Sequence, residues 1–201
     1  MSKIFFIISG MGELPSQTKY QKIAAMAGKA GYKVEGIDIK WRTDMIMSDF
    51  VRQTEKQIKK ILAKENRRVK AGQVKLTVLG FSFGAYISAI LSRKIKFEKI
   101  YFCSLSPYFK EDFILWPEKD LKKVEKVFGL RMFTDLKKNI FPKNIHTEAF
   151  FLVGEKEWAV ILKSTPKHYK EWGGKKKLIF IKGVGHNIGH RKCLQALAKI
   201  I

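Results

Sequence analysis

Ser82 has the surroundings that a catalytic serine requires. It is the central residue of GFSFG (80–84), which follows the apolar run 73–80 and precedes a segment with helical character. A G-x-S-x-G segment between a strand and a helix places its serine on a sharp, strained turn, where only glycine two positions away leaves room for the side chain. The N-terminus of the following helix favours negative charge that develops near the hydroxyl. The segment therefore predicts that Ser82 is a nucleophile.

His186 is the predicted general base. A serine hydroxyl is a poor nucleophile until a base accepts its proton, and the base needs an acidic residue to orient it. In a strand–turn–helix setting the chain order is serine, then Asp or Glu, then histidine. His186 ends the loop GVGH after the apolar run 176–183, and sites in open α/β sheets form at such carboxyl ends of strands. The alternative is a histidine in a surface loop or at a helix cap.

Glu157 is the predicted acid. It belongs to GEKEWAV (154–160), directly after the apolar run 147–154, so it follows the serine and precedes the histidine in the chain. Glu155 lies in the same turn, but we prefer Glu157, which is three residues after the glycine. Asp112 and Asp135 are alternatives that would orient the histidine if Glu157 were only a solvated loop charge.

Two backbone N–H groups are candidates for an oxyanion hole, because an acyl-transfer site needs donors aimed at the developing negative oxygen. The first is the N–H of Phe83, the residue after the serine. The second is the N–H of Met11 in SGMGE (9–13), which follows the first apolar run. Gly10 and Gly12 give the backbone on either side of Met11 more conformational freedom.

Apolar runs and amphipathic segments alternate along the chain, which predicts the elements that position these residues. Ser16 is the expected N-cap of the first helix, and Gly31 follows its end. The alternation favours an α/β fold, a three-layer sandwich with a mostly parallel sheet of about six strands and helices on both faces. The predicted strands are 3–9, 32–39, 73–80, 97–106, 147–154 and 176–183, and the predicted helices are 16–30, 48–65, 83–95 and 187–201.

Residues 107–146 interrupt this alternation. They are rich in aromatic and charged residues and are predicted to form an insertion over the edge of the sheet, either a lid or a plain connecting pair of helices. The 201 residues, 46% of them hydrophobic, otherwise indicate a single globular domain. No apolar run approaches the ~20 residues of a membrane helix, and the N-terminal run is expected to be a strand and not a secretory signal.

The charge balance is strongly positive, with 40 Lys and Arg against 18 Asp and Glu and a formal net charge of +22. Such a field predicts at most a weak attraction to anionic surfaces, because the lysines are scattered over probable helix faces and loops. Nucleic acid is not an expected partner, since the sequence has neither Cys/His zinc spacing nor an RNP-like aromatic segment. The two distant cysteines, Cys103 and Cys193, indicate a reducing, cytoplasmic setting.

The sequence resembles the α/β-hydrolase superfamily in SGMG after the first strand, GFSFGA, GEKEWAV and GVGH. The resemblance spans nearly the whole chain and would align its first strand with the third strand of the full fold. It implies a serine hydrolase that cleaves an ester, thioester or amide of a small acyl substrate through an acyl-serine, with no cofactor and no metal. Two departures are glutamate at the acid position, where aspartate is commoner, and the lack of a His-Gly pair in the oxyanion loop.

Other readings of the same segments are weaker. GMGELP has Pro15 where a dinucleotide fingerprint needs its third glycine, and the pair His186 and His190 lacks the glutamate of a H-E-x-x-H zinc motif. Cys103 is better interpreted as a buried structural cysteine than as a nucleophile. Two functional alternatives stay open, a catalytically silent binding module and a phospholipid or acyl-CoA hydrolase acting at anionic surfaces.

Overall fold

Six parallel strands form one sheet, as the sequence predicts. The computed structural model describes residues 2–68 and 74–201, so the first residue of the predicted strand 73–80 lies outside the described part. The strands occur in the order β2-β1-β3-β4-β5-β6. They are β1 Ser2–Ile8, β2 Lys33–Ile37, β3 Val74–Phe81, β4 Lys99–Cys103, β5 Glu148–Gly154 and β6 Lys176–Ile181.

Helices cover both faces of this sheet. The helices are α1 Thr18–Lys29, α2 Met47–Asn66, α3 Phe83–Leu91, α4 Glu118–Leu136, α5 Ala159–Glu171 and α6 Arg191–Ala198, with a 3-10 helix at Lys110–Leu115. Alternate residues of a strand point to opposite faces. Phe6 of β1 accordingly packs in the core under α2 and α3, whereas Phe5 packs in the core under α1 and α6. The central strands are continuously apolar because both of their faces are buried.

Several boundaries differ from the sequence prediction. Helix α1 begins at Thr18, and its N-cap is Gln17 without a side-chain cap, so the prediction of Ser16 as the N-cap is wrong. Gly31 does follow the helix end, with φ +83°. Helix α6 begins at Arg191, where the ring of His190 accepts a hydrogen bond from the backbone N–H of Lys192.

Helix α5 was not predicted at all. Its sequence AVILKSTPKHYKE contains Pro166 within the helix, and proline ordinarily signals a helix end. The helix nevertheless contacts β5, β6 and the 3-10 helix. Tertiary packing therefore overrides a weak local signal in this segment.

Residues 107–146 connect β4 to β5, which are neighbours in the sheet. They contain the 3-10 helix and α4, which is interrupted at Gly129 by φ +76°. Met132 and Leu136 of α4 pack in the same core as α2 and α3. A role of this segment as a lid stays a prediction. Within residues 2–68 and 74–201, no helix is both long and apolar enough to cross a bilayer.

Gly84 of α3 lies against the carboxyl end of β1, and we expect Gly84→Ala to destabilise the fold strongly. A Cβ at this position would lie 2.0 Å from the carbonyl oxygen of Ile8, so strand and helix would have to separate. The expected loss is at least about 3 kcal/mol in the free energy of unfolding, measured by urea denaturation.

Gly28 provides the matched control, because a Cβ there would meet no atom within 4 Å. Gly28→Ala should raise the stability of α1 by up to about 1 kcal/mol. Equal stability of Gly84→Ala and the unsubstituted chain would contradict this account of the helix–strand contact.

Candidate active site

Ser82 lies on the turn between β3 and α3, in a strained backbone conformation with φ 56° and ψ −118°. Its N–H donates to the carbonyl of Cys103 at 2.9 Å, which ties the turn to the end of β4. A Cβ at Gly80 would lie 2.4 Å from the carbonyl oxygen of Gly84. The two glycines on either side of the serine are therefore needed to close the turn, as the sequence predicts.

His186 reaches Ser82 from the loop after β6. Its Nε2 lies 3.0 Å from Ser82 Oγ, although the two residues are 104 positions apart in the chain. The imidazole stacks on Trp158 with ring centroids 5.4 Å apart and also contacts the ring of Phe81 at 4.9 Å. These two aromatic rings hold the imidazole plane in position over the serine.

Glu157 completes a hydrogen-bonded series with these two residues. Its Oε2 lies 2.8 Å from His186 Nδ1, and its side chain is 0% exposed, whereas that of His186 is 26% exposed. When the carboxylate accepts a hydrogen bond from the Nδ1–H, the lone pair of Nε2 faces the hydroxyl of Ser82. The structure thus brings together the three residues that the sequence singled out.

The loops that carry Glu157 and His186 are held to each other by their backbones. The N–H of Lys156 donates to the carbonyl of Val184 at 2.7 Å. A Cβ at Gly154 would lie 2.3 Å from that same carbonyl oxygen, so glycine at the end of β5 permits the contact. The acid and the base are positioned relative to each other by this contact between their loops.

The other candidate acids lie elsewhere. Glu155 accepts a hydrogen bond from the backbone N–H of Gly183 at 3.0 Å. Asp135 accepts from the N–H and hydroxyl of Ser48, at 2.7 Å for the N–H. Asp112 pairs with another histidine, described below. None of the three contacts His186 in the described part of the chain.

The two predicted oxyanion donors, Met11 and Phe83, belong to the segments that follow β1 and β3. Phe83 is the first residue of α3, and Met11 lies in the turn after β1. Neither N–H donates a hydrogen bond to an acceptor within residues 2–68 and 74–201. The N–H of Gly10, by contrast, already donates to Tyr20 Oη at 3.0 Å. Of the N–H groups of Gly10 and Met11, the Met11 N–H is therefore the one without an acceptor among the described residues.

Tyr20 and Glu13 hold the Met11 loop, and sequence reasoning missed both. The Tyr20 hydroxyl donates to the Glu13 carboxylate, which also binds Lys19. Burial raises the pKa of Tyr20 above its usual range, so the hydroxyl stays protonated and can donate. The hydroxyl of Ser9 donates to the Glu13 carbonyl at 2.8 Å. The loop is thus fixed by side chains from α1 and from the loop itself.

Two further serines, Ser104 and Ser106, adjoin the site and were also missed. The hydroxyl of Ser104, a residue with φ 49°, donates to Glu157 Oε1. The hydroxyl of Ser106 lies 3.3 Å from Ser82 Oγ. The available signal is their position in CSLSP, directly after β4 and therefore at the same edge of the sheet as the other site residues.

Cys103 does not have the character of a nucleophile. Its side chain is buried at the end of β4, and burial raises the pKa of its thiol well above the usual range. The thiol therefore stays protonated, which agrees with its interpretation as a structural cysteine.

An apolar cavity of about 530 Å³ adjoins the site. Tyr108 in its wall stacks on Phe83 at 5.1 Å, and Trp158 in its wall stacks on His186. A second cavity of about 260 Å³ contains Met11, and Phe128 lines both cavities. The lining of the larger cavity includes Tyr108, Trp116, Val124, Phe128, Trp158 and Val160.

Comparison with known proteins gives a clear result for the fold. No family model and no curated protein matches the sequence. Among solved structures, α/β hydrolase domain-containing protein 10 from mouse superposes with a TM-score of 0.73 at 12% identity, over 98% of this chain and 86% of that chain. The chain has the α/β-hydrolase fold. The predicted resemblance is thereby confirmed at the level of the fold.

Two further structures share this α/β-hydrolase fold. Est1E from Butyrivibrio proteoclasticus matches with a TM-score of 0.70 at 13% identity, over 98% of this chain and 86% of its own. The monoacylglycerol lipase of Paleococcus ferrophilus matches with a TM-score of 0.65 at 15% identity, over 98% of this chain and 94% of its own. Each superposition covers 98% of this chain, which agrees with one fold over nearly all of its length.

Ser104 donates to a buried carboxylate, and we expect Ser104→Ala to lower the free energy of unfolding by about 1.5–3 kcal/mol. The reason is that Glu157 Oε1 would lose its hydrogen-bond donor inside the protein. Urea denaturation of the two proteins measures the difference. Ser106→Ala is the matched control and should cost less, because its 3.3 Å contact with Ser82 is long for a hydroxyl pair. Equal losses in the two variants would contradict this assignment.

Proposed function

We propose that this protein is a serine hydrolase that cleaves a carboxylic ester or thioester through an acyl-serine. The observation that carries the proposal is the series Glu157–His186–Ser82, joined at 2.8 Å and 3.0 Å by side chains from three separate loops. A carboxylate, an imidazole and a hydroxyl in this order form an activated nucleophile. The buried position of Glu157 and the aromatic contacts of His186 keep that geometry fixed.

The reaction follows from the position of each group. Ser82 Oγ attacks the carbonyl carbon while His186 Nε2 accepts the hydroxyl proton, and Glu157 stabilises the imidazolium that forms. The N–H groups of Phe83 and Met11 would stabilise the negative oxygen of the tetrahedral intermediate. The imidazolium then protonates the departing alcohol or thiol. Its loss produces the acyl-serine. Water, deprotonated by the same imidazole, hydrolyses the acyl-serine and restores the hydroxyl.

The apolar cavity indicates the kind of acyl group. Its wall includes Tyr108 and Trp158, which contact Phe83 and His186 beside the serine, so a chain bound there would extend from the reacting carbon. Asp120 and Lys123 also line the cavity, but most of its lining is aromatic or aliphatic, which favours a hydrocarbon chain over a polar one. The structural neighbours agree with ester substrates, since one is a monoacylglycerol lipase and Est1E has been solved with ferulic acid bound.

Ser82→Ala should lower ester cleavage by at least about 10³-fold, because the variant lacks the hydroxyl that faces His186 Nε2. Turnover of p-nitrophenyl butyrate and labelling by a fluorophosphonate probe, mapped to Ser82 by mass spectrometry, measure the effect. His186→Ala should lower the rate of ester cleavage by as much, since base and nucleophile act as a unit. Glu157→Gln should cost somewhat less.

Ser92→Ala is the control, because Ser92 is buried directly after the same helix and its hydroxyl donates to the carbonyl of Ala89 at 2.7 Å. It should keep full activity. Turnover retained in Ser82→Ala would contradict the proposal. If the unsubstituted chain cleaves no ester and takes no label, the alternative of a silent binding module is favoured.

Longer acyl chains should be better substrates until the chain fills the cavity. Each buried methylene contributes about 0.8 kcal/mol at most, so kcat/KM should rise by at least about 10-fold from p-nitrophenyl acetate to the octanoate. Val124→Trp, which reduces the volume of the cavity, should weaken the dependence of kcat/KM on acyl-chain length. Lys122→Trp, an exposed position on the same helix, should leave it unchanged. A flat series in the unsubstituted chain would contradict an acyl role for the cavity.

A further inference from the structure

A second buried histidine, His168 of α5, lies away from the proposed active site. It is 0% exposed, and its ring stacks on Phe141 at 4.1 Å and meets the edge of Phe109 at 5.3 Å. Its Nε2 lies 3.0 Å from Asp112 Oδ2 and 2.9 Å from Oδ1, and Asp112 is also 0% exposed. The pair connects α5 to the 3-10 helix at Lys110–Leu115.

The Asp112 contact determines which ring nitrogen carries the proton. A carboxylate only accepts hydrogen bonds, so Nε2 must donate to Asp112, and the lone pair of the neutral imidazole is then on Nδ1. The Nδ1 atom is buried and has no hydrogen-bond partner among the described residues. A buried polar atom without a partner is uncommon in folded proteins and calls for a ligand.

One carboxylate lies beside this nitrogen, and a second lies close to the imidazole. Ligand atoms of Glu111, His168 and Glu171 all lie within 4.8 Å of one another. Glu171 Oε2 lies 3.7 Å from His168 Nδ1, which is too long for a hydrogen bond, and this oxygen is likewise buried and unpaired in the described part of the chain. A nitrogen lone pair and two carboxylates that face one another repel unless a cation lies between them.

The remaining contacts of the cluster leave this centre free. Lys143 Nζ binds the other oxygen of Glu171, Oε1, at 3.2 Å. Lys167 Nζ donates to the backbone carbonyl of Glu111 at 2.9 Å. The N–H of Phe141 donates to Glu111 Oε1 at 2.9 Å. Lys143 and the Phe141 N–H each hold one carboxylate, whereas Lys167 holds the backbone of Glu111. Among the described residues, none of these donors reaches His168 Nδ1.

We propose that Glu111, His168 and Glu171 bind one divalent transition-metal ion of the zinc class. One imidazole nitrogen with two carboxylate oxygens suits Zn²⁺, whereas Mg²⁺ and Ca²⁺ prefer oxygen ligands alone. A carboxylate on the far nitrogen of the ligating histidine, here Asp112, is the usual partner in such sites and fixes the ring.

The ion would join two walls of the apolar cavity. Glu111 belongs to the segment that carries Tyr108 and Trp116, and Glu171 ends the helix that begins beside Trp158. A metal bound between them stabilises the attachment of residues 107–146 to α5. The site takes no part in the proposed ester chemistry, so neither proposal depends on the other.

The test uses the full chain, stripped with a chelator and then titrated with ZnCl₂. We expect one zinc per chain by elemental analysis after gel filtration. Zinc at about 100 times its dissociation constant should raise Tm by at least about 5 °C. The variant Glu111→Gln/Glu171→Gln, which preserves side-chain size at two partly exposed positions, should lose the zinc and the shift in Tm.

Three controls separate this site from other zinc-binding positions. Glu118→Gln/Glu125→Gln, made at two positions on α4, should keep the zinc. His186→Ala and His190→Asn should also keep the zinc, because these two histidines lie outside the proposed site. The proposal is overturned if the unsubstituted chain binds no zinc, if the double glutamine variant keeps it, or if either of these histidine variants loses it.

Discussion

The close contact between α3 and the carboxyl end of β1 is the constraint on which the site depends. Gly84 lies so near the carbonyl of Ile8 that a Cβ would come within 2.0 Å of its oxygen, and a Cβ at Gly80 would come within 2.4 Å of the carbonyl oxygen of Gly84 in the first turn of α3. This contact forces the chain to reverse within one residue, and Ser82 adopts φ 56° as a result. A strained serine on a short turn lies at the sheet edge, where loops from other strands can reach it.

The parallel order of the sheet brings those loops to the serine. All six strands run in the same direction, so their carboxyl ends share one edge. The loops after β3, β4, β5 and β6 contribute Ser82, Ser106, Glu157 and His186 to one hydrogen-bonded group. Ser104 after β4 shows how such an edge accommodates a glutamate, because its hydroxyl satisfies the carboxylate oxygen that His186 does not use.

Two acid–histidine pairs in the described part of the chain are arranged differently. In the first, Glu157 binds Nδ1 of His186, and the free nitrogen faces a hydroxyl that can donate to it. In the second, Asp112 binds Nε2 of His168, and the free nitrogen faces another carboxylate. A nitrogen lone pair beside a hydroxyl favours proton transfer, whereas one beside carboxylates favours a cation. The same two residue types therefore support different chemistry, and the third group decides which.

The sequence by itself determined the six strands, the sharp turn at Ser82 and the chain order of Ser82, Glu157 and His186. These features are local, since they depend on apolar runs, on glycines at fixed spacing and on the residues directly after each strand. Only the tertiary structure decided that Ser104 supports Glu157, that Asp112 pairs with His168 and that α5 forms in spite of Pro166. Those outcomes depend on contacts between residues that are distant in the chain, and no local pattern specifies which distant groups meet.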